Sequence, residues 1–218
     1  MHVRTLVALF AVSLAVPLLA QTTELGFFGT RSTFTTDTAT DLPDGLTAAT
    51  IKFDKKVGYG ISLTHFLSPG TSVQISGQTV RGDAKVAITQ GGVTAAEAGG
   101  TLDLKQFDAA LHFYLNPRSQ YKVYVGGGAA WMRNGKLNVA ADATDSIPAG
   151  SIAIKDKVTW LADAGIDIVL TPAATVTLSA KYTHYTATLA PTADDPNKLF
   201  QQLRLNPMTL AAGLRFKF

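Results

Sequence analysis

Pro207-Met208-Thr209-Leu210-Ala211-Ala212-Gly213-Leu214-Arg215-Phe216-Lys217-Phe218 is the stretch whose reading decides the fold. At period two, Met208, Leu210, Ala212, Leu214, Phe216 and Phe218 are apolar, while Thr209, Ala211, Gly213, Arg215 and Lys217 between them are small or charged. This is a strand with two unlike faces. A frayed strand in water gains nothing from exposed phenylalanines. In a transmembrane barrel the same residues have places: small and polar side chains fill the lumen, apolar ones meet lipid, and a final aromatic joins the interfacial girdle.

The same alternation recurs upstream. A first strand covers the Glu24 to Phe34 region, its facing left open by the adjacent Phe27 and Phe28. A second sets Val57, Tyr59, Ile61, Leu63, His65 and Leu67 against Lys56, Gly58, Gly60, Ser62, Thr64 and Phe66, and ends at Ser68-Pro69-Gly70-Thr71. A third runs from Ser72 to about Arg81, and a fourth from Thr101 to Leu115 with Phe107, Leu111 and Phe113 on one face. After Asn116-Pro117 a fifth strand, Tyr121 to Arg133, points Val123, Val125 and Trp131 outward. In the sixth, Val158 to Leu170, Asp163 and Asp167 cannot face lipid cheaply, which fixes its sides. Thr171-Pro172-Ala173 leads to the seventh, with Val176, Leu178, Ala180 and Tyr182 outward.

Between strands, the segments 35–50, 82–100, 134–156 and 190–202 read as long loops, with an extension of the third strand over Lys85 to Thr89 left open, whereas the connections at Pro69, Pro117 and Pro172 are tight turns. Eight strands with connections alternating long and short fit an all-β, eight-stranded antiparallel transmembrane β-barrel with short periplasmic turns and long extracellular loops. A soluble sandwich does not call for that asymmetry.

The N-terminal segment agrees. Met1-His2-Val3-Arg4 is positively charged, residues 5–16 form an apolar run too short to span a bilayer, and Leu18-Leu19-Ala20 precedes polar Gln21-Thr22-Thr23. Residues 1–20 are therefore expected to be a secretory signal peptide and residues 21–218 the barrel, exported to the outer membrane of a Gram-negative bacterium. With only 16% charged residues, a formal charge of +3 and no basic run, the 218-residue chain is not a nucleic-acid binder. The lack of cysteine removes thiol catalysis and thiolate metal sites.

The chain also resembles the OmpW family of small outer-membrane barrels. The resemblance rests on Tyr124-Val125-Gly126-Gly127-Gly128-Ala129 after the Asn116-Pro117 turn, on Lys155-Asp156 followed by Trp160 to Asp167, and on Leu205-Asn206-Pro207 leading into Ala212-Gly213-Leu214-Arg215-Phe216. It implies a monomeric barrel with a narrow, partly hydrophobic interior, serving passive passage of small hydrophobic molecules. The alternative it leaves open is a structural or surface-recognition barrel, such as a phage or bacteriocin receptor, without transport.

Inward positions supply a lumen polar network of Asp108, His112, Lys122, Asp163, Asp167, Lys181, Arg215 and Lys217. Acids and bases are nearly matched, so a plug of ion pairs and an ion path are both open readings. Met132, Leu161 and Tyr185, near the outer strand ends, either line an apolar vestibule or simply fill the core of a small barrel. Pro207 lacks a ladder donor close to the outer interface, which makes it either the candidate lateral gate into the bilayer or simply the point where the strand emerges from the membrane. His65, His112 and His184 lie on separate strands with no serine or metal-ligand cluster beside them, so neither an enzyme nor a cofactor site is expected. The expected partners are membrane lipid and lipopolysaccharide, small hydrophobic solutes, and the barrel-assembly machinery through Phe218.

Overall fold

The computed structural model describes residues 22–34, 37–39, 48–90, 93–140, 150–188 and 202–218. The signal peptide expected over residues 1–20 and most of the 190–202 loop lie outside the described residues. Among these residues, twelve antiparallel strands follow in order: β1 Thr23–Thr33, β2 Asp37–Ala39, β3 Ala48–Ser68, β4 Thr71–Gln90, β5 Val93–Tyr114, β6 Tyr121–Val139, β7 Gly150–Ile154, β8 Lys157–Thr171, β9 Ala174–Thr183, β10 Thr186–Thr188, β11 Gln202–Arg204 and β12 Met208–Lys217. Eight of them close into a ring, β1-β12-β9-β8-β6-β5-β4-β3 and back to β1. β1 pairs on one side with β12, from Glu24 against Lys217 to Thr33 against Met208, and on the other with β3, from Thr23 against His65 to Ser32 against Lys56. Closure leaves no strand edge around the band, which is the condition for crossing hydrocarbon with β-structure.

Period two sorts the side chains as the sequence requires. Phe27, Ile61, Leu63, Ile75, Phe107, Phe113, Val125, Trp160, Leu210 and Phe216 are all exposed on the outside. An apolar surface this continuous is covered by lipid, not water. Inside the same belt lie buried Thr64, Ser76, Gln78, Asp108, His112, Asp163, Asp167 and Arg215. The facing of β1, open from sequence, is settled by its ladder: Leu25, Phe27 and Gly29 point out, while Glu24, Gly26, Thr30 and Ser32 are buried within.

Above the girdle of Tyr59, Phe107, Trp131, Trp160 and Tyr182 the sides exchange character. The inward residues become apolar, with Ile51, Val80, Ala84, Val86, Ala98, Leu102, Leu104 and Leu137 packed in one core, and the outward residues become charged. There Lys56 pairs with Asp83 at 2.6 Å, Arg81 with Asp103 at 3.0 Å, and Lys85 with Asp54 at 3.5 Å. This corrects the reading of 82–100 as a loop: β4 continues to Gln90 and β5 starts at Val93. Small apolar residues facing in and charges facing out still have period two, with the sign reversed because water lies outside at this height. For the same reason β6 continues to Val139 with β7 paired beside it, and β3 begins at Ala48 with β2 alongside, shortening the loops expected over 134–156 and 35–50.

Candidate functional site

The lumen is filled in three tiers. Lowest, toward the short turns, Arg215 on β12 lays its guanidinium on the carboxylate of Asp167 on β8, and its Nε lies 3.3 Å from Glu24 on β1. Asp167 also accepts from the Tyr114 hydroxyl at 3.0 Å and the Thr177 hydroxyl at 2.8 Å. Both lone-pair regions of the carboxylate are thereby used, so a charge that would be prohibitively costly alone is tolerated here. Lys122 is half-buried and sits over the ring of Phe66, 5.8 Å from its centre.

The second tier joins His112 on β5 to Asp163 on β8, Nε2 to Oδ2, at 3.0 Å. The imidazole stacks on Tyr124 with ring centres 4.6 Å apart. In the third, Lys181 on β9 meets Asp108 on β5, which also accepts from Ser76 Oγ at 3.1 Å and from Gln106 Nε2 at 2.7 Å. Gln106 reaches on to Thr183 at 3.2 Å. Cross-barrel bonds thus tie β1, β4, β5, β8, β9 and β12 into one charged plug.

Seven of the eight residues assigned to the polar network face this interior, six of them buried. Lys217 departs from the expectation: it has the inward parity but is exposed at the rim. Parity assigns a side of the wall, not a depth. Glu24, Ser76, Gln106, Thr177 and Thr183 belong to the plug and were missed; Glu24 was hidden by the ambiguity of β1, and the others carry no charge signal.

The apolar trio is also partly regrouped. Met132 and Tyr185 are fully buried in the upper core, whereas Leu161 packs with Ala110 and Ala130 in a small cluster of its own. None of the three lines an open mouth; Leu161, the most accessible, is 2% exposed. The Tyr185 hydroxyl is buried without a hydrogen-bond partner among the described residues. Burial pushes this phenol up to about 12, assisted by the Asp156 carboxylate.

Pro207 is buried and stands at the end of a real break in the wall. The β8–β9 ladder begins at Leu161 against Thr183, so the first four residues of β8, Lys157 to Trp160, pair with β6 but have no ladder on their other side. Facing them is the β10–β11 hairpin, which among the described residues forms a separate two-stranded ladder. It turns inward, and Ala187, Leu203 and Leu205 are fully buried in the upper core. The seam is bridged by the Lys157 ammonium donating to the Thr186 carbonyl at 3.1 Å, the Thr159 hydroxyl donating to the His184 carbonyl, and His184 N–H donating to the Trp160 carbonyl at 3.2 Å. Pro207 accepts from Thr183 N–H at 3.0 Å but has no donor to return. Beside it Asn206 takes φ 33°, and its side-chain oxygen accepts from Tyr185 N–H at 2.9 Å. Among the described residues no group of three or more His, Cys, Asp or Glu could hold a metal ion.

Comparison with known proteins agrees with this architecture. The model of the OmpW family matches residues 17–218. The outer membrane protein OprG of Pseudomonas aeruginosa is 14% identical with a TM-score of 0.62, covering 91% of this chain and 95% of that one. The outer membrane protein AlkL, solved in lipid bilayers, is 15% identical with a TM-score of 0.56, covering 93% and 95%. A major outer membrane protein of Thermus thermophilus is 12% identical with a TM-score of 0.53, covering 92% and 100%. At such identities the likeness is one of fold. Among curated protein sequences none matches the chain.

Proposed function

The chain belongs to the OmpW family of bacterial outer-membrane barrels, and on that premise we propose that it passes small hydrophobic molecules from outside into the bilayer through its wall. The carrying observation is the order of fillings along the lumen: an apolar core above, a charged plug below, and a seam between β8 and the β10–β11 hairpin at the level where one gives way to the other. A greasy solute is compatible with the first and is repelled by the desolvation of the second. Its favourable exit is sideways, where a few side-chain and terminal-ladder bonds and the stack of His184 on Trp160 stand in for a continuous ladder among the described residues. Met132 and Tyr185 are packed in the upper core that an entering solute must part, and Pro207 with Asn206 forms the hinge on which the hairpin leaves the core. Asp108, Asp163, Asp167, Lys181 and Arg215 keep water and ions from following.

Uptake of an apolar and a polar solute of similar size, by cells with and without the protein, tests the reading. The apolar solute alone should gain. Locking the seam separates lateral release from simple conduction: the chain has no cysteine, so Trp160→Cys with His184→Cys, replacing two residues that share a backbone hydrogen bond and stacked rings across the seam, forms one defined crosslink. Oxidation should abolish apolar uptake and reduction restore it. Unchanged uptake through the locked wall would rule out lateral release, and no gain for either solute would favour a structural or recognition barrel.

A further inference from the structure

Arg31 stands on the outward face of β1, in line with Leu25, Phe27 and Gly29, and is exposed. It lies seven residues above Glu24 on the same strand, about 18 Å higher at ~3.3 Å per residue and ~40° tilt, and so toward the outer boundary of the apolar belt. Its neighbours across the ladders are Leu210 and Val57. Nearby cations have carboxylates, as Lys56 of β3 has Asp83 and Arg81 of β4 has Asp103; Arg31 has no such partner among the described residues. A guanidinium at this depth is tolerable at the interface and costly in hydrocarbon, and no described residue gives it a counter-charge.

From Arg31 an apolar furrow descends the outer wall across β12, β9 and β8 to β6. Its floor is low because small residues succeed one another on four strands, Gly29, Ala212, Ala180 and Ala164, while Leu210 and Leu178 stand up beside them. Four inter-strand gaps of ~4.8 Å make it about 20 Å long, the scale of one acyl chain. The furrow offers van der Waals contact to a chain and nothing polar, and Arg31 at its head offers a planar fork matched to phosphate.

We propose that this wall holds one phosphorylated glycolipid of the outer leaflet, its phosphate on Arg31 and one acyl chain in the furrow. The depth of Arg31 selects the outer leaflet over the inner, since a phosphate of the inner leaflet lies at the opposite end of the strand. The site is separate from the lumen and its seam.

The test uses the full-length mature protein in detergent micelles, with bound lipid counted by native mass spectrometry on addition of bis-phosphorylated lipid A. Wild type should retain one molecule. Arg31→Gln should weaken retention at least fivefold, and dephosphorylated lipid A should bind wild type no better than lipid A binds that variant. Gly29→Leu fills the furrow without disturbing the ladder, because a Cβ at Gly29 meets nothing within 4 Å; it too should weaken retention at least fivefold, with the heat-modifiable gel mobility of a folded barrel unchanged. Wild-type retention by both variants, or equal binding of phosphatidylcholine, would reduce the furrow to ordinary lipid annulus and overturn the proposal. Displacement by millimolar inorganic phosphate, or equal binding of phosphatidylglycerol, would overturn its assignment to an outer-leaflet glycolipid.

Discussion

The guanidinium of Arg215 crosses the lumen to the carboxylate of Asp167, and each of these side chains is 1% exposed. Neither strand neighbours the other in the ring; β9 lies between them. Arg215→Leu leaves Asp167 and Glu24 buried without their cation and should cost about 3–5 kcal/mol of unfolding free energy. Urea unfolding in micelles or bilayers measures it. A loss below about 1 kcal/mol would mean that water reaches this tier in the folded barrel.

Lys181 and Asp108 permit a coupling measurement. Each single change, Lys181→Met or Asp108→Leu, strands one buried charge, whereas the double variant strands neither. The double variant should therefore be more stable than the sum of the singles by roughly 1–3 kcal/mol, the range for partners within one network. Additive losses would show that Ser76 and Gln106, not Lys181, carry the burden of Asp108.

Consecutive glycines on β6 should respond oppositely to alanine. A Cβ at Gly128 would run into the Ala109 carbonyl oxygen, whereas one at Gly127 would come no nearer than 3.4 Å to the Leu161 carbonyl oxygen. Gly128→Ala forces the β5–β6 ladder apart and should cost ~2 kcal/mol or more, while Gly127→Ala should change stability by less than about 0.5 kcal/mol. Folding yield into vesicles, followed by gel mobility, distinguishes them.

Tyr185 carries a pH signature. Its folded phenol titrates at about 12, above the ~10 of an unfolded tyrosine. The folded state therefore holds its proton when the unfolded state has released it, and stability falls as pH rises from about 10 toward 12. Tyr185→Phe should remove that part of the alkaline loss, on the order of 2 kcal/mol, and should leave neutral-pH stability equal or slightly higher, since the hydroxyl it deletes has no partner among the described residues. Unfolding midpoints at pH 7, 10 and 11.5 decide it.

The lower barrel was legible in the sequence because its two faces differ as much as chemistry allows: Asp163 and Asp167 on one side of β8 and Trp160, Ile166 and Ile168 on the other admit one orientation. Arg215 was placed by the same argument. Position along the strand was harder to read, which is why Lys217 was assigned to the plug although it sits at the rim. The uncharged members of the plug are defined by what lies across the lumen, a relation with no local trace in Gln106 or Thr177. Above the girdle the pattern persisted with opposite sign, and the Gly, Ala and Thr run of 82–100 looked aperiodic only to a reader seeking apolar residues outside.

That reversal of sides also guards the alignment of the strands. If β5 slipped by one residue against β4, Asp108 and His112 would turn to lipid in the lower half while Asp103 and Lys105 turned into the apolar core of the upper half. A misaligned hairpin would fail twice, in two solvents, for a single error. The long β4–β5 pair therefore acts as a vernier: its two halves check the same offset against bilayer and water independently.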